Sequence, residues 1–287
     1  MQEKKKIQIN LKKMKMLMKF NELQLKEYLY KELKKYYKRI IYNEKYLIAA
    51  GEGEVCLLAH MDTVFRTPPT FFFHDQNQHI LWSPEGMGAD DRAGIYAILE
   101  ILQMGARPHI IFTTGEEMGG IGASKLIADY PIKDYILPDL KFLIQLDRRG
   151  SKDSVYYECD NPIFEEWINS FGFETSIGTY TDISIIAPKW KVAAVNLSIG
   201  YYNEHQEIEM LFYNYTVETI LKVFNIIEKC NSGYGPKDAS YIPRKCSYSY
   251  CPICQINKIT KNSPNVSSYN LGINLICQKC YDEYFKC

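Results

Sequence analysis

Val55-Cys56-Leu57-Leu58-Ala59-His60-Met61-Asp62-Thr63-Val64 decides the fold of this chain. An apolar run set between Gly51-Glu52-Gly53-Glu54 and a polar turn has the length and composition of a buried strand, and it ends in a histidine and an aspartate two residues apart. In an open α/β sheet the carboxyl edge of the strands is where ligands bind. A neutral imidazole is a preferred zinc ligand, and a nearby carboxylate accepts its other ring N–H or fixes its orientation. A lone His-x-Asp pair is more often a satisfied histidine at a strand end. Its weight here comes from further segments downstream that end in acids or histidine in the same way.

Gly86-Met87-Gly88-Ala89-Asp90-Asp91-Arg92-Ala93-Gly94 runs into a helical pattern over 95–104, with two aspartates where a helix N-terminus stabilises negative charge. His109 to Thr114 forms a second apolar strand and stops at Gly115-Glu116-Glu117-Met118-Gly119-Gly120. Adjacent glutamates usually mark a solvated turn, but these terminate a buried strand, so both cannot easily face bulk water. Leu140 to Leu146 leads to Asp147-Arg148-Arg149-Gly150, and a strand over 192–200 opens into a loop with His205. Between them lie an expected helix over 162–171 and a turn, Gly178-Thr179-Tyr180-Thr181-Asp182. Upstream, residues 38–50 and 54–60 read as two strands joined by the Gly51-Glu52-Gly53 turn. His74 and His79 read as surface histidines, and an amphipathic helix over 216–230 closes the domain.

His60, Asp90, Glu117, Asp147 and His205 are two imidazoles and three carboxylates, with Asp62 and Glu116 as acids beside them. Clustered carboxylates repel one another unless cations sit among them, and one carboxylate can bridge two ions ~3.5 to 4 Å apart. The inventory suits two zinc or similar divalent ions. Such a pair polarises a carbonyl and lowers the pKa of a shared water, leaving a nearby glutamate to take the proton. Amide hydrolysis is the natural chemistry of that arrangement.

The bulk properties agree. A chain of 287 residues accommodates one large domain and a small module. Hydrophobic residues at 46% and charged residues at 24% are ordinary for a globular protein. With 34 basic and 34 acidic residues there is no net field to draw nucleic acid or a membrane. No apolar stretch approaches the ~20 residues that span a bilayer, and no signal-peptide core is present, so a cytoplasmic location is expected. Residues 1–20, rich in lysine and methionine, read as a frayed basic arm, and from Asn21, an available N-cap, a surface helix follows.

The order of motifs resembles the co-catalytic zinc exopeptidase superfamily, which contains peptidase T, leucyl-type aminopeptidases and related carboxypeptidases. The resemblance spans about residues 40–229 and rests on Ala59-His60-Met61-Asp62-Thr63-Val64, Gly88-Ala89-Asp90-Asp91-Arg92-Ala93-Gly94, Thr113 to Ala123, Leu146-Asp147-Arg148-Arg149-Gly150, Asn196 to Gly200, and Asn203-Glu204-His205. It implies that Asp90 bridges the metals, that His60 and Asp147 complete one and Glu117 and His205 the other, that Glu116 is the general base and that Asp62 orients His60. Asp182 and Glu209 correspond to residues behind the ligands. In peptidase T and the related carboxypeptidases an inserted lid or dimerisation domain precedes the final histidine. Here Asp147 and His205 are only 58 positions apart, which leaves no room for a separate lid.

After a Gly-, Pro- and Ser-containing stretch, 231–245, that reads as a linker, the chain changes character. Six of the nine cysteines fall in residues 246–287. Cys251-x-x-Cys254 and Cys277-x-x-Cys280 form two knuckles suited to one tetrahedral structural zinc, although the 22 residues between them slightly exceed the usual loop. Seven basic against three acidic residues from Pro236 onward do not indicate nucleic-acid binding. The expectation is therefore a three-layer α/β/α domain over 21–230 with a mixed, largely parallel sheet and no lid, carrying two zinc ions, and a four-cysteine tail with a third. It would be a metallopeptidase that hydrolyses a terminal peptide bond, most simply an aminopeptidase. The alternatives are an N-acyl amino acid deacylase on the same scaffold, or an adaptor acting through the tail. Oligomeric state is not legible.

Overall fold

A computed structural model describes residues 9–244. Cys251, Cys254, Cys277 and Cys280, with the zinc module expected around them, lie outside the described residues. In chain order the elements are α1 (Leu11–Lys19), α2 (Glu22–Leu33), β1 (Arg39–Tyr42), β2 (Tyr46–Ala50), β3 (Val55–His60), β4 (Phe73–Asp75), β5 (Ile80–Trp82), α3 (Ala89–Gln103), β6 (His109–Thr113) and α4 (Ile121–Asp129). There follow β7 (Phe142–Arg148), β8 (Asp153–Val155), α5 (Pro162–Asn169), β9 (Glu174–Ser176), α6 (Asp182–Trp190), β10 (Ala193–Ser198), β11 (Tyr201–Tyr202), β12 (Met210–Phe212) and α7 (Tyr213–Asn231). An eight-stranded sheet of order β1-β2-β6-β3-β7-β10-β8-β9 forms the middle layer, and β6, β3, β7 and β10 run parallel at its centre. A small antiparallel sheet, β11-β12-β5-β4, stands beside it.

The period-two alternation of strand side chains sorts the layers. Val55, Leu57 and Ala59 of β3, Ile110 and Phe112 of β6, Phe142, Ile144 and Leu146 of β7, and Ala193, Val195 and Leu197 of β10 face one apolar cluster. That cluster is completed by buried residues of α1, α2, α3, α5 and α7. Cys56 and Leu58, Ile111, Leu143 and Ala194 face the other, covered by Ala123 and Leu126 of α4 and by Ile183, Ile186 and Trp190 of α6. The same parity puts His60 with Cys56 and Leu58, and Asp147 with Leu143, on the α4/α6 face. Leu58 pairs with Gln145, so the next residues facing that way on the two strands are His60 and Asp147. Side-chain period and register alone thus set two of the proposed ligands side by side.

Four features depart from the sequence reading. Residues 38–50 are a β1–β2 hairpin, and β6 separates β2 from β3, because β3 prefers its parallel neighbour β6 across the α3 crossover. Residues 1–20 do not read as a frayed arm where they are described. Asn10 accepts from the Lys13 N–H at 3.0 Å to cap α1, Met14, Leu17 and Met18 are fully buried against the domain, and Lys13 pairs with Glu100 at 2.9 Å. The expected linker is tied down as far as Arg244: the Ala193 N–H donates to the Ala239 carbonyl, that of Asp160 to Ile242 and that of Arg244 to Glu158, at 2.7 to 2.8 Å. Finally, the turn at Asp182 opens a helix, α6, that the sequence reading lacked. Its Thr181 N-cap and Ser184 form a capping box. Elsewhere local signals hold, since Asn21 and Gln24 make the reciprocal box that starts α2.

No inserted domain separates Asp147 from His205: β8, β9 and β10 all lie in the main sheet and α6 packs on it. Among the described residues no helix is long and apolar enough to cross a membrane.

Candidate metal centre

Five segments converge at the carboxyl edge of the parallel strands. The α3 segment arrives because Gly94 has no side chain. A Cβ there would stand 2.2 Å from the Leu146 carbonyl oxygen, so only glycine lets α3 approach β7 and bring Asp90 to Asp147. The loop before it is bound by one buried carboxylate, Glu209, which accepts from the N–H groups of Met87 (3.2 Å), Gly88 (2.6 Å) and Asp90 (3.0 Å). Gly88 has φ +64, a left-handed conformation that suits glycine. Asp91 faces the other way, accepting from the backbone N–H of His60 and of Gly94.

His60 Nε2 lies 2.9 Å from Asp90 Oδ1 and 3.5 Å from Asp147 Oδ1. On the far side of Asp90, His205 Nε2 lies 3.3 Å from Asp90 Oδ2 and 3.0 Å from Glu117 Oε1. Two triads result, His60–Asp90–Asp147 and Asp90–Glu117–His205, each with its ligand atoms within 4.8 Å of one another and with Asp90 common to both. Glu117 Oε1 is buried yet makes no aligned hydrogen bond, so a lone pair is left pointing among the other donors. This donor set of imidazole and carboxylate, shared through one carboxylate, fits a pair of zinc-like ions.

The neighbours explain how the donors are held. Asp62 Oδ1 and Oδ2 accept from the backbone N–H groups of Glu116 (3.2 Å) and Glu117 (3.1 Å), while His60 Nδ1 lies 3.4 Å from Asp62 Oδ1 and 3.2 Å from its carbonyl oxygen. One aspartate therefore links the His60 ring to the two-glutamate turn. Burial opposes its charge, but His60 and these two N–H groups prevail and hold Asp62 at about 2. Asp147 receives hydrogen bonds on Oδ2 from Thr181 Oγ1 (2.8 Å) and Gln145 Nε2 (3.0 Å), and on Oδ1 from Tyr201 OH (3.0 Å). Gln145, Thr181 and Tyr201 were not singled out from the sequence. A glutamine inside the apolar strand was the available signal for the first, whereas nothing distinguished Tyr201 among 23 tyrosines. Asp182 is buried, accepts from Thr113 Oγ1, and keeps Oδ1 without a partner.

Without cations the carboxylates hold protons in the site. Burial works against a charged His60, but Asp147, Asp62 and Asp90 outweigh it and raise its pKa well above the usual value. Asp90 and then Glu117 raise His205 to about 11. Burial, reinforced by Asp147, Asp182 and Asp90, pushes Glu116 up to about 9. Burial likewise takes Asp182 and Glu209 to about 7. Divalent cations invert this balance, displacing the ring protons and restoring the carboxylates. His74 and His79 stand apart on the small sheet, exposed, with ring nitrogens 3.0 and 3.3 Å from Tyr213 OH.

Fold and donor set together are similar to those of zinc-dependent exopeptidases. More particularly, residues 46–172 match the model of Peptidase family M28. Solved structures with this fold include a tripeptidase from Staphylococcus aureus (16% identity over 77% of this chain and 98% of that one, TM-score 0.64). They also include the aminopeptidase PepT from Bacillus cereus (14%, 77% and 98%, TM-score 0.61) and a TET aminopeptidase from a marine sediment Thaumarchaeota archaeon (13%, 78% and 99%, TM-score 0.61). Among curated protein sequences none matches the chain.

Proposed function

We propose that the chain is an aminopeptidase, releasing the amino-terminal residue of a peptide through two metal ions held by His60, Asp90, Glu117, Asp147 and His205. The observation that carries this reading is the pair of triads joined through Asp90. A pair of zinc ions bound there supplies Lewis acidity for the scissile carbonyl and lowers the pKa of the attacking water. Glu116 supplies the proton transfer. Its backbone is held by its N–H on Asp62, its side chain is half-buried, and with cations present it is a carboxylate able to take a proton from water and pass it to the leaving amine. Asp62 keeps His60 oriented, and Gln145, Thr181 and Tyr201 do the same for Asp147. Glu209 fixes the loop that delivers Asp90, and Asp182 lies behind the site on Thr113. The two cysteine pairs of the tail, Cys251/Cys254 and Cys277/Cys280, are proposed to hold one structural zinc.

The test is turnover by the zinc-loaded full-length protein on unblocked peptides, on the same peptides N-acetylated, and on N-acyl amino acids. Cleavage that requires the free amino terminus is the expected result. Preference for the N-acyl amino acids would replace the aminopeptidase reading with a deacylase on the same scaffold.

A further inference from the structure

The formal net charge of zero hides a division along the chain. Seven of the 34 basic residues and one of the 34 acidic residues lie in residues 1–20, which leaves 27 basic and 33 acidic residues on the other 267. A strongly basic N-terminal segment therefore sits on a chain that is otherwise net acidic. In α1 most of these cations are not spent on ion pairs. Lys13 pairs with Glu100, but Lys12, Lys15 and Lys19 belong to none of the ion pairs among the described residues. The three recur at helical spacing on the side of α1 opposite Met14, Leu17 and Met18, which are buried. Leu11, Met16 and Phe20 pack only partly against the core and line one open groove with Lys12, Lys15 and Lys19.

Phe72 joins this surface to a second one. The Nζ atoms of Lys15 and Lys19 lie 5.9 and 5.7 Å from the centre of its ring. Its sequence neighbours Phe71 and Phe73 are 54% and 43% exposed, and Trp82 of β5 is 37% exposed. These rings pack on one another outside the core: Phe71 meets Phe73 edge-on with centroids 4.7 Å apart, and Phe73 stacks on Trp82 at 4.4 Å. Glu85 fixes the loop that presents them, accepting from the N–H groups of Thr70 (2.6 Å) and Phe71 (3.3 Å). Thr70 and, to a lesser degree, Lys19 hold its carboxyl below the usual value, so the acid beside the lysines is already engaged by the loop. Stacked aromatic rings left in solvent and bordered by unpaired cations mark an interaction surface.

We propose that this face, α1 together with Phe71, Phe73 and Trp82, docks the protein peripherally on a bilayer that contains anionic lipid. The lysines meet the headgroup anions, and the aromatic rings enter the interfacial layer that Trp and Phe side chains favour. Reversible attachment of this kind takes two signals, because one alone is marginal, and both are present here on one surface. A second copy of the chain fits less well, since a two-fold contact would bring the same lysines together. Nucleic acid matches the lysines but not the rest: Phe73 and Trp82 each spend a ring face on the other, and leucine and methionine line the groove where bases would need rings to stack on. The docking face involves none of the proposed metal ligands, so it stands or falls separately from the catalytic reading.

The experiment is flotation of the full-length protein with phosphatidylcholine vesicles prepared with and without phosphatidylserine. Binding is expected to require phosphatidylserine and to weaken as salt rises, because exposed charges are screened beyond ~10 Å at 0.1 M ionic strength. A cation near an anionic surface is worth about fivefold in affinity, so Lys12→Gln, Lys15→Gln and Lys19→Gln together should weaken binding by about 100-fold. Phe71→Ser with Trp82→Ser should weaken it by about tenfold. None of these five side chains is buried, so the fold should survive, with circular dichroism as the check. Vesicles with brominated acyl chains should quench part of the tryptophan emission, and Trp82→Phe should abolish that quenching, since Trp167 and Trp190 lie on α5 and α6. No binding to either vesicle, binding indifferent to phosphatidylserine, or binding that survives both sets of substitutions overturns the proposal. Quenching that persists in Trp82→Phe overturns it too, because another surface would then face the lipid. Capture of an RNA or DNA oligonucleotide that depends on the lysines, without vesicle binding, would replace the membrane with nucleic acid.

Discussion

Asp90→Ala is the substitution that separates a shared metal pair from two independent sites. Asp90 is the one carboxylate common to the two triads, 2.9 Å from His60 Nε2 through Oδ1 and 3.3 Å from His205 Nε2 through Oδ2. Alanine leaves only His60 and Asp147 for one ion and only Glu117 and His205 for the other. Groups that merely support a metal ligand are worth about 10- to 100-fold in metal affinity, so loss of a ligand is expected to cost at least ~100-fold at each site. The fold should survive, because Asp90 belongs to neither apolar cluster and its backbone N–H remains on Glu209. The assay is elemental analysis of zinc-loaded, desalted full-length protein, with circular dichroism as the control for folding. Relative to wild type, Asp90→Ala should lose about two ions, while Glu117→Ala and Asp147→Ala each lose about one, since one bridging carboxylate serves both ions. Taking differences from wild type removes any contribution of the cysteine tail. An Asp90→Ala protein that retains as many ions as Glu117→Ala would refute the shared ligand.

Glu116→Gln should keep the metals and the fold but lose ~10² to 10⁴ in kcat, the range for a general base, and near-wild-type turnover would remove Glu116 from that role. For a chain ended after Arg244, zinc uptake near pH 8 should release up to about three protons, because His60 and His205 are held protonated by their carboxylates and must bind neutral, and Glu116, at about 9 without cations, becomes a carboxylate. Calorimetry in buffers of different ionisation enthalpy measures this, and uptake without proton release would contradict the assignment. For the metal-free protein the sign is opposite to that of a depressed carboxylate: the raised His205 value stabilises fully below the ordinary 6.5, and the contribution fades as pH climbs through about 11. A chain ended after Arg244 should match the full-length protein in turnover. One ended at Ser232 loses the four backbone hydrogen bonds that join the strap to Ala193, Asp160, Lys191 and Glu158, and should be less stable by roughly 2 to 6 kcal/mol in denaturant unfolding. Equal midpoints would show that the strap contributes nothing.

The sequence by itself determined the layer architecture and the set of residues that meet at the site. Strand period, flanking glycines and capping residues act over a few positions, so Val55–His60, Phe142–Arg148 and the Asn21 cap could be read locally. The order of acids and histidines at strand ends then named all five residues that the structure gathers into two triads. Tertiary structure alone decided what depends on neighbours distant in sequence. The packing of Met14, Leu17 and Met18 against the domain, the strap over 236–244 and the insertion of β6 between β2 and β3 each follow from which surface remains open once the sheet has formed. The same is true of Gln145, Thr181 and Tyr201 around Asp147, and of Glu204 beneath Arg149. Those side chains come from four separate segments, and their hydrogen bonds exist only after β7, β10 and α6 are in register. Local patterns encode which face of an element is apolar, but the partner of a buried polar group is fixed by three-dimensional packing.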